Sequence, residues 1–137
     1  MTLNEKSPTV YPTLRYPDAS AALEFLTGTL GLTAGQVYRD GDGTIAHAEL
    51  GWGNGIIMIG SWREGADAFD SGRAVLYLAT ADPDGLHARV VAAGADVVHG
   101  PTDQDYGSRE FAVRDPEGNV WSFGTYQPDP IDAPTGT

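Results

Sequence analysis

His47 and Glu49 alternate on one predicted strand, Thr44 to Gly51, and so project from the same face. An imidazole beside a carboxylate can work as a general acid–base pair or anchor a polar ligand in a cavity. The same spacing equally suits a solvent-facing or cross-strand pair. Two side chains cannot by themselves form a tight structural metal site. Tyr11, Thr13 and Arg15 share a face of the first predicted strand. There Arg15 could meet an acidic ligand, pair with Glu49, or make a structural ion pair. His87 reads as a surface residue of a helix, and His99, before Gly100-Pro101, as a loop residue. Alternation puts Glu110, Ala112 and Arg114 on one face of a hairpin, with Arg109, Phe111 and Val113 on the other; exposed ion pairing is the default for the charges. Aromatic residues are frequent on the strands. Tyr11, Tyr77 and Ser122 fall on the predicted cavity face, Trp62 and Tyr126 at equivalent strand ends near its rim, and Trp121 and Phe123 under a helix. Aromatic walls grip flat ligands by stacking and cations by π attraction, though ordinary strand packing also uses such residues.

The elements that would position these residues come in a repeating order. Tyr106 to Tyr126 contains two strand-forming runs around Asp115-Pro116-Glu117-Gly118-Asn119, where proline presets one turn dihedral and glycine accepts a positive one. Ile45 to Trp62 reads as the same hairpin about half a chain earlier, turning at Gly53-Asn54-Gly55. Before each hairpin come a strand, a helix and a further strand. The first strand is Val10 to Tyr16, with Pro12 marking an edge or a ladder gap. The first helix opens at the N-cap Asp18 and stops at Gly31; the second opens at Asp82-Pro83 and stops at Gly94. Thr33 to Arg39 and a short Ala95 to Val98 are the strands that follow, the latter before a loop at Gly100 to Asp105. Leu86 lies 63 positions after Leu23, and Gly94 lies 63 after Gly31. The chain therefore reads as an α+β protein of two βαβββ units, residues 9–62 and 73–126, in one domain spanning 9–126. Side by side, they would form a curved mixed sheet with a concave ligand cavity. Residues 1–8 read as a flexible tail, 63–72 as a linker, and the proline-rich 127–137 as a disordered tail.

Composition narrows the function. Eight basic residues against 19 acidic ones give a net charge of −11, which repels a phosphate backbone and excludes nucleic acid as a partner. That field would attract a cationic small molecule, and equally it would simply keep the chain soluble. With no cysteine, disulfides, thiolate nucleophiles and cysteine-based metal sites are excluded. No apolar run approaches a membrane span, and the polar start lacks a signal-peptide core, so a cytoplasmic protein without a membrane partner is expected.

Three stretches, YPTLRYPDASAALEFLTGTLGL, HAELGWGNGIIMIG and YGSREFAVRDPEGNVWSF, in this order and at this period, resemble the glyoxalase/bleomycin-resistance/dioxygenase (vicinal oxygen chelate) superfamily. The last two look most like its PhnB-like branch. The resemblance implies a homodimer, since related chains often complete their cups across two subunits. It also implies a divalent metal held by His, Gln or Glu from the first and last strands of each unit. Those positions carry over to Tyr11, Met58, Val75 and Ser122. None is a good ligand for a hard cation, and a one-residue shift to Pro12, Ile57, Ile59, Trp121 or Phe123 rescues nothing. The expectation is therefore a protein with no metal and no cofactor. Its ligand would be a planar or cationic natural product such as an antibiotic, bound by Tyr11, Thr13, Arg15, His47, Glu49, Met58, Trp62, Tyr77, Ser122 and Tyr126. The alternative is a lyase, isomerase or dioxygenase-like enzyme using His47 and Glu49 as acid and base or as metal ligands. A partner-binding domain with an exposed apolar patch is a third possibility.

Overall fold

A computed structural model of the chain describes residues 7–63, 68–70 and 72–130. The expected N-terminal tail, the linker and the C-terminal tail lie partly outside these described residues. The first unit runs β1 (Thr13–Tyr16), α1 (Ala19–Glu24), a π-helical segment (Phe25–Thr29), β2 (Thr33–Arg39), β3 (Ile45–Trp52) and β4 (Gly55–Ser61). The second runs β5 (Val75–Ala79), α2 (Pro83–Ala92), β6 (Asp96–Asp103), β7 (Arg109–Arg114) and β8 (Val120–Gly124). Each forms a four-stranded mixed sheet, in the orders β1-β4-β3-β2 and β5-β8-β7-β6. The first and last strands of each unit are parallel neighbours. Thr13 faces Met58 in one sheet as Tyr77 faces Ser122 in the other, so the ladders repeat the period found in the sequence.

Local chemistry explains most of the boundaries. The Asp18 carboxylate accepts from the Ala21 N–H at 3.0 Å, and Asp82 accepts from the Gly85 N–H at 3.0 Å, so both helices begin on capped amides. Three elements depart from expectation. The first strand begins at Thr13, not Val10, because Pro12 has no N–H to donate; its carbonyl still accepts from the Met58 N–H at 2.9 Å. Tyr11 therefore precedes the sheet. The first helix widens after Glu24, where Leu30 N–H reaches back to the Phe25 carbonyl at 3.1 Å. Within that segment Thr27 Oγ1 donates to the Leu23 carbonyl, and Arg89 of α2 donates to the Gly28 and Thr29 carbonyls at 3.0 and 3.1 Å. Lastly, β6 runs through Gly100-Pro101 to Asp103, so the expected loop from Gly100 is strand as far as Asp103, and His99 sits in a strand. Two register shifts around His99 absorb the proline as bulges.

One core serves both units. Trp121, Phe111, Phe123 and Val113 from the second sheet, and Tyr16, Leu26, Ile45, Leu50 and Ile59 from the first unit, are all buried in it. Phe111 stacks on Phe123 at 5.4 Å, and Trp52 meets Phe123 edge-on at 5.4 Å while its Nε1 donates to the Ala79 carbonyl. The helix-covered faces of the two sheets thus pack together. The opposite, open faces carry exposed groups such as Val75, which is 74% accessible.

Asp115, in the β7–β8 turn, fastens the two halves. It is 4% exposed. Its Oδ2 accepts from Tyr16 O–H of the first unit at 2.7 Å and from Trp121 Nε1 at 3.1 Å. Its Oδ1 accepts from the amides of Glu117 and Asn119 at 3.0 and 2.9 Å, and Asn119 Nδ2 bridges both oxygens. Burial first, and then the bond to Asp115, push the Tyr16 hydroxyl far above the ordinary tyrosine range.

Asp115→Ala should destabilise the protein by about 3–5 kcal/mol in urea unfolding, because four buried donors lose a charged acceptor; Tyr16→Phe should cost about 1.5–3 kcal/mol. The two changes should be less than additive together. A group whose folded pKa is raised lends stability below its unfolded pKa and loses it as pH rises. Stability should accordingly decline above about pH 10, and less steeply in Tyr16→Phe. Strict additivity, or an unchanged alkaline slope, would show that the hydroxyl and carboxylate are not coupled.

Candidate functional site

The open faces are where the side chains singled out above emerge. Ladder register places Met58 opposite Thr13 and Ser122 opposite Tyr77. Thr13 and Tyr77 therefore stand on this face beside Met58 and Ser122, and Val75, two residues before Tyr77, shares it. Val75 opens β5 opposite Val120. A hydroxyl, a thioether, a phenol and a second hydroxyl fit a hard divalent cation no better than the earlier set did. Among the described residues, no group of three or more His, Asp or Glu side chains could hold a metal ion.

On the first sheet, His47 and Glu49 do meet. His47 Nε2 and Glu49 Oε2 are 3.0 Å apart, both side chains over a third exposed. Tyr38, cross-strand from His47, brings its ring centroid to 5.9 Å from the imidazole. Such a pair can pass a proton or accept a polar ligand group. Arg15 pairs with Asp70 at 3.3 Å, not with Glu49, and its guanidinium lies 5.3 Å from the Phe69 ring centroid. Trp62, just past β4, donates from Nε1 to the Arg15 carbonyl at 3.1 Å and is 51% exposed.

On the second sheet, Tyr77 meets Tyr126, which was expected at the rim, and lies near Glu110 and Tyr106, which were not among the expected site residues. Glu110 faces Gly124 across the β7–β8 ladder. Tyr106 O–H donates to Glu110 Oε2 at 2.8 Å, and Tyr77 O–H donates to the Tyr126 carbonyl at 2.7 Å. Burial raises the Tyr77 pKa, with a further push from the nearby Glu110 charge; the Tyr106 pKa is raised chiefly by its bond to Glu110. Alternation along β7 had already set Glu110 on the face of Ala112. Register with Ser122 was the missing link. Arg109 is occupied elsewhere, binding Asp84 through two nitrogens at 2.9 Å and Asp103 at 3.1 Å, and Arg114 pairs with Asp96. These match the ion pairing expected of them. His87 is not a free surface group, since its ring packs edge-on against Phe111 at 5.5 Å.

Among the described residues, two cavities divide some of these side chains between them. An open cavity of about 550 Å³ beside β2 and the β3–β4 turn includes Glu49, and another of about 390 Å³ at the junction of the two units includes Tyr77. The latter is lined by Pro12, Trp52, Ile56, Leu76 and Leu78 among others, so it is largely apolar. Neither contains Thr13, Met58 or Ser122. Arg15 and Trp62 line a third depression of about 250 Å³ with Arg73 and Glu117.

Two βαβββ units with open sheet faces define a duplicated α+β protein. The chain belongs to the glyoxalase/bleomycin resistance protein/dioxygenase superfamily, whose family model matches residues 9–123. It superposes on TioX from Micromonospora sp. ML1 with a TM-score of 0.72 and 30% identity, covering 86% of this chain and 98% of that one. Lactoylglutathione lyase from Agrobacterium tumefaciens superposes with a TM-score of 0.66 at 22% identity, over 85% of this chain and 93% of that one, a likeness of fold alone. The Mycobacterium bovis protein Mb0911c is 27% identical over 125 residues, which span 85% of this chain and 82% of that protein.

Gly124 is required where it stands. An added Cβ would lie 2.5 Å from Glu110 Cγ and 2.6 Å from the Tyr77 hydroxyl. Gly124→Ala should therefore cost about 1–3 kcal/mol and loosen Tyr77. By contrast, Gly28 in the π-helical segment has open space around a Cβ, and Gly28→Ala should be neutral or stabilising by up to about 1 kcal/mol. Thermal unfolding of the two variants measures the difference.

Proposed function

We infer that this chain is a metal-free small-molecule-binding protein. It would withhold an aromatic or cationic natural product from its target by desolvating it, with no bond made or broken. The single observation behind this reading is the set of side chains on the paired first and last strands. Tyr11, Met58, Val75 and Ser122, to which the resemblance carries the metal ligands, and Thr13 and Tyr77 on the first strands, offer no imidazole and no carboxylate. The exposed tyrosines of the second sheet and the apolar cavity at the junction supply surface for a flat ligand. Within this reading the chain sits in the PhnB-like branch and works in the cytoplasm as a homodimer. A second copy would cover the open faces that one chain leaves bare.

Isothermal titration against planar and cationic natural-product antibiotics tests the reading. At least one should bind with a Kd in the micromolar range or tighter, and Tyr77→Ala should weaken it about tenfold or more. If nothing binds more tightly than about millimolar, the reading fails. Elemental analysis of tag-free protein should find no stoichiometric transition metal, and one equivalent of such a metal would overturn the ligand argument. Sedimentation should give twice the chain mass.

The 3.0 Å contact between His47 and Glu49 supports a second reading, a lyase or isomerase with these two as acid and base. On that reading His47→Ala and Glu49→Ala abolish turnover with the fold intact. Under the first reading they alter binding at most.

A further inference from the structure

At the far end of the second sheet's open face, a carboxylate and three phenols gather in one corner. Because Gly124 lacks a side chain, Glu110 Cγ, the Tyr77 hydroxyl and Ser108 Oγ all converge on it, at 2.5, 2.6 and 3.1 Å from where a Cβ would stand. The Tyr106 and Tyr126 rings meet there at right angles, with centroids 6.1 Å apart and planes at 82°. The corner is held from several sides. Tyr106 donates to Glu110, Tyr77 donates to the Tyr126 carbonyl, and the Tyr126 N–H donates to Ser108 Oγ at 3.0 Å. Ser108 is buried, yet Tyr77, Tyr106 and Tyr126 remain 41%, 60% and 51% exposed.

The charge balance there is unusual. A surface carboxylate ordinarily stands against Lys or Arg, or in open water. Glu110 is bonded instead to a neutral phenol, while Arg109 next to it is committed to Asp84 and Asp103. Ring faces add negative potential of their own. A single carboxylate among phenols is a poor site for magnesium or calcium, which require several oxygen ligands in a shell. It suits a bulky, weakly hydrated cation that can touch rings and carboxylate together. Hydrogen bonds hold the Tyr106 and Tyr77 phenols and the Tyr126 backbone, and the Tyr126 ring packs against that of Tyr106, so part of the ordering is done before binding.

We propose that this corner is a recognition site for an organic ammonium group. Glu110 is the counter-charge, and the perpendicular rings of Tyr106 and Tyr126 are its walls. This rests on the small-molecule-binding reading above and names the chemical class that its polar end takes. The chain's net charge of −11 adds a general attraction for such a ligand.

The probe is choline chloride, titrated into the ¹⁵N-labelled full chain at constant ionic strength, with its neutral isostere 3,3-dimethyl-1-butanol as control. Choline should move the amide resonances of residues 106–110 and 124–126 saturably, and the isostere should bind about tenfold more weakly. Glu110→Gln keeps the shape and still accepts from Tyr106. It should lower choline affinity about fivefold or more at an unchanged melting temperature, and Tyr126→Ala should do likewise. Equal affinity for the two probes, or full choline affinity in Glu110→Gln, overturns the proposal. If choline fails while a neutral planar compound binds, this inference falls and the binding reading stands. If neither choline nor any compound of the antibiotic panel binds, both fall.

Discussion

A buried carboxylate holds this fold together. Asp115 sits in a turn, where carboxylates are usually solvated, yet it is all but removed from water. Stripping an ion of its hydration costs several kcal/mol, and only a near-complete set of donors offsets that. Asp115 has such a set: two amides, an amide side chain, an indole N–H and a phenol. Four of these donors are local to the β7–β8 hairpin. The fifth, Tyr16, comes from the first strand of the other unit. The hairpin can be complete only when the two units dock, which makes a local turn into a sensor of the tertiary arrangement.

That arrangement divides the labour between the sheet faces. The helix-covered faces are used up in joining the units, through Tyr16 to Asp115, Trp52 to Ala79 and Phe123, and Arg89 to the carbonyls of the π-helical segment. The open faces contribute little to the shared core, so their side chains are freer to differ. A substitution at Trp121 would leave a large cavity, costing about 3–5 kcal/mol, whereas one at Tyr77 or Met58 alters a surface that can meet solvent. Side chains of different chemistry can replace one another there without loss of the fold.

The parts of this design that were legible in the sequence are those written in short-range signals. Asp18, Asp82-Pro83 and the Gly53-Asn54 and Glu117-Gly118 turns each act within a few residues, and the duplication shows as their recurrence. The illegible parts depend on distant partners. The π-helical widening relies on Arg89, some 60 residues away, to serve its carbonyls. The passage of β6 through Gly100-Pro101 depends on β7 accepting two bulges. Asp115 was visible as a turn residue but not as the acceptor for Tyr16. The placing of Arg15 on Asp70 could not be read from alternation, which gives a face and no partner.

The two open faces, built on one repeated plan, have diverged in their electrostatics. On the first sheet the carboxylate of Glu49 lies against an imidazole, so each can answer the other's hydrogen-bonding need and, when His47 is protonated, its charge. On the second, Glu110 accepts from the Tyr106 phenol, and the neighbouring Arg109 is committed to two aspartates. An ion pair that satisfies itself has little left to offer a charged ligand, whereas a lone carboxylate walled by aromatic rings gains from any cation that arrives with less hydration to lose. Within the small-molecule-binding reading, the asymmetry gives this surface a direction. A ligand with one positively charged end and one flat end would place the charge at the Glu110 corner and lay its flat part against the exposed Tyr77 on the same face.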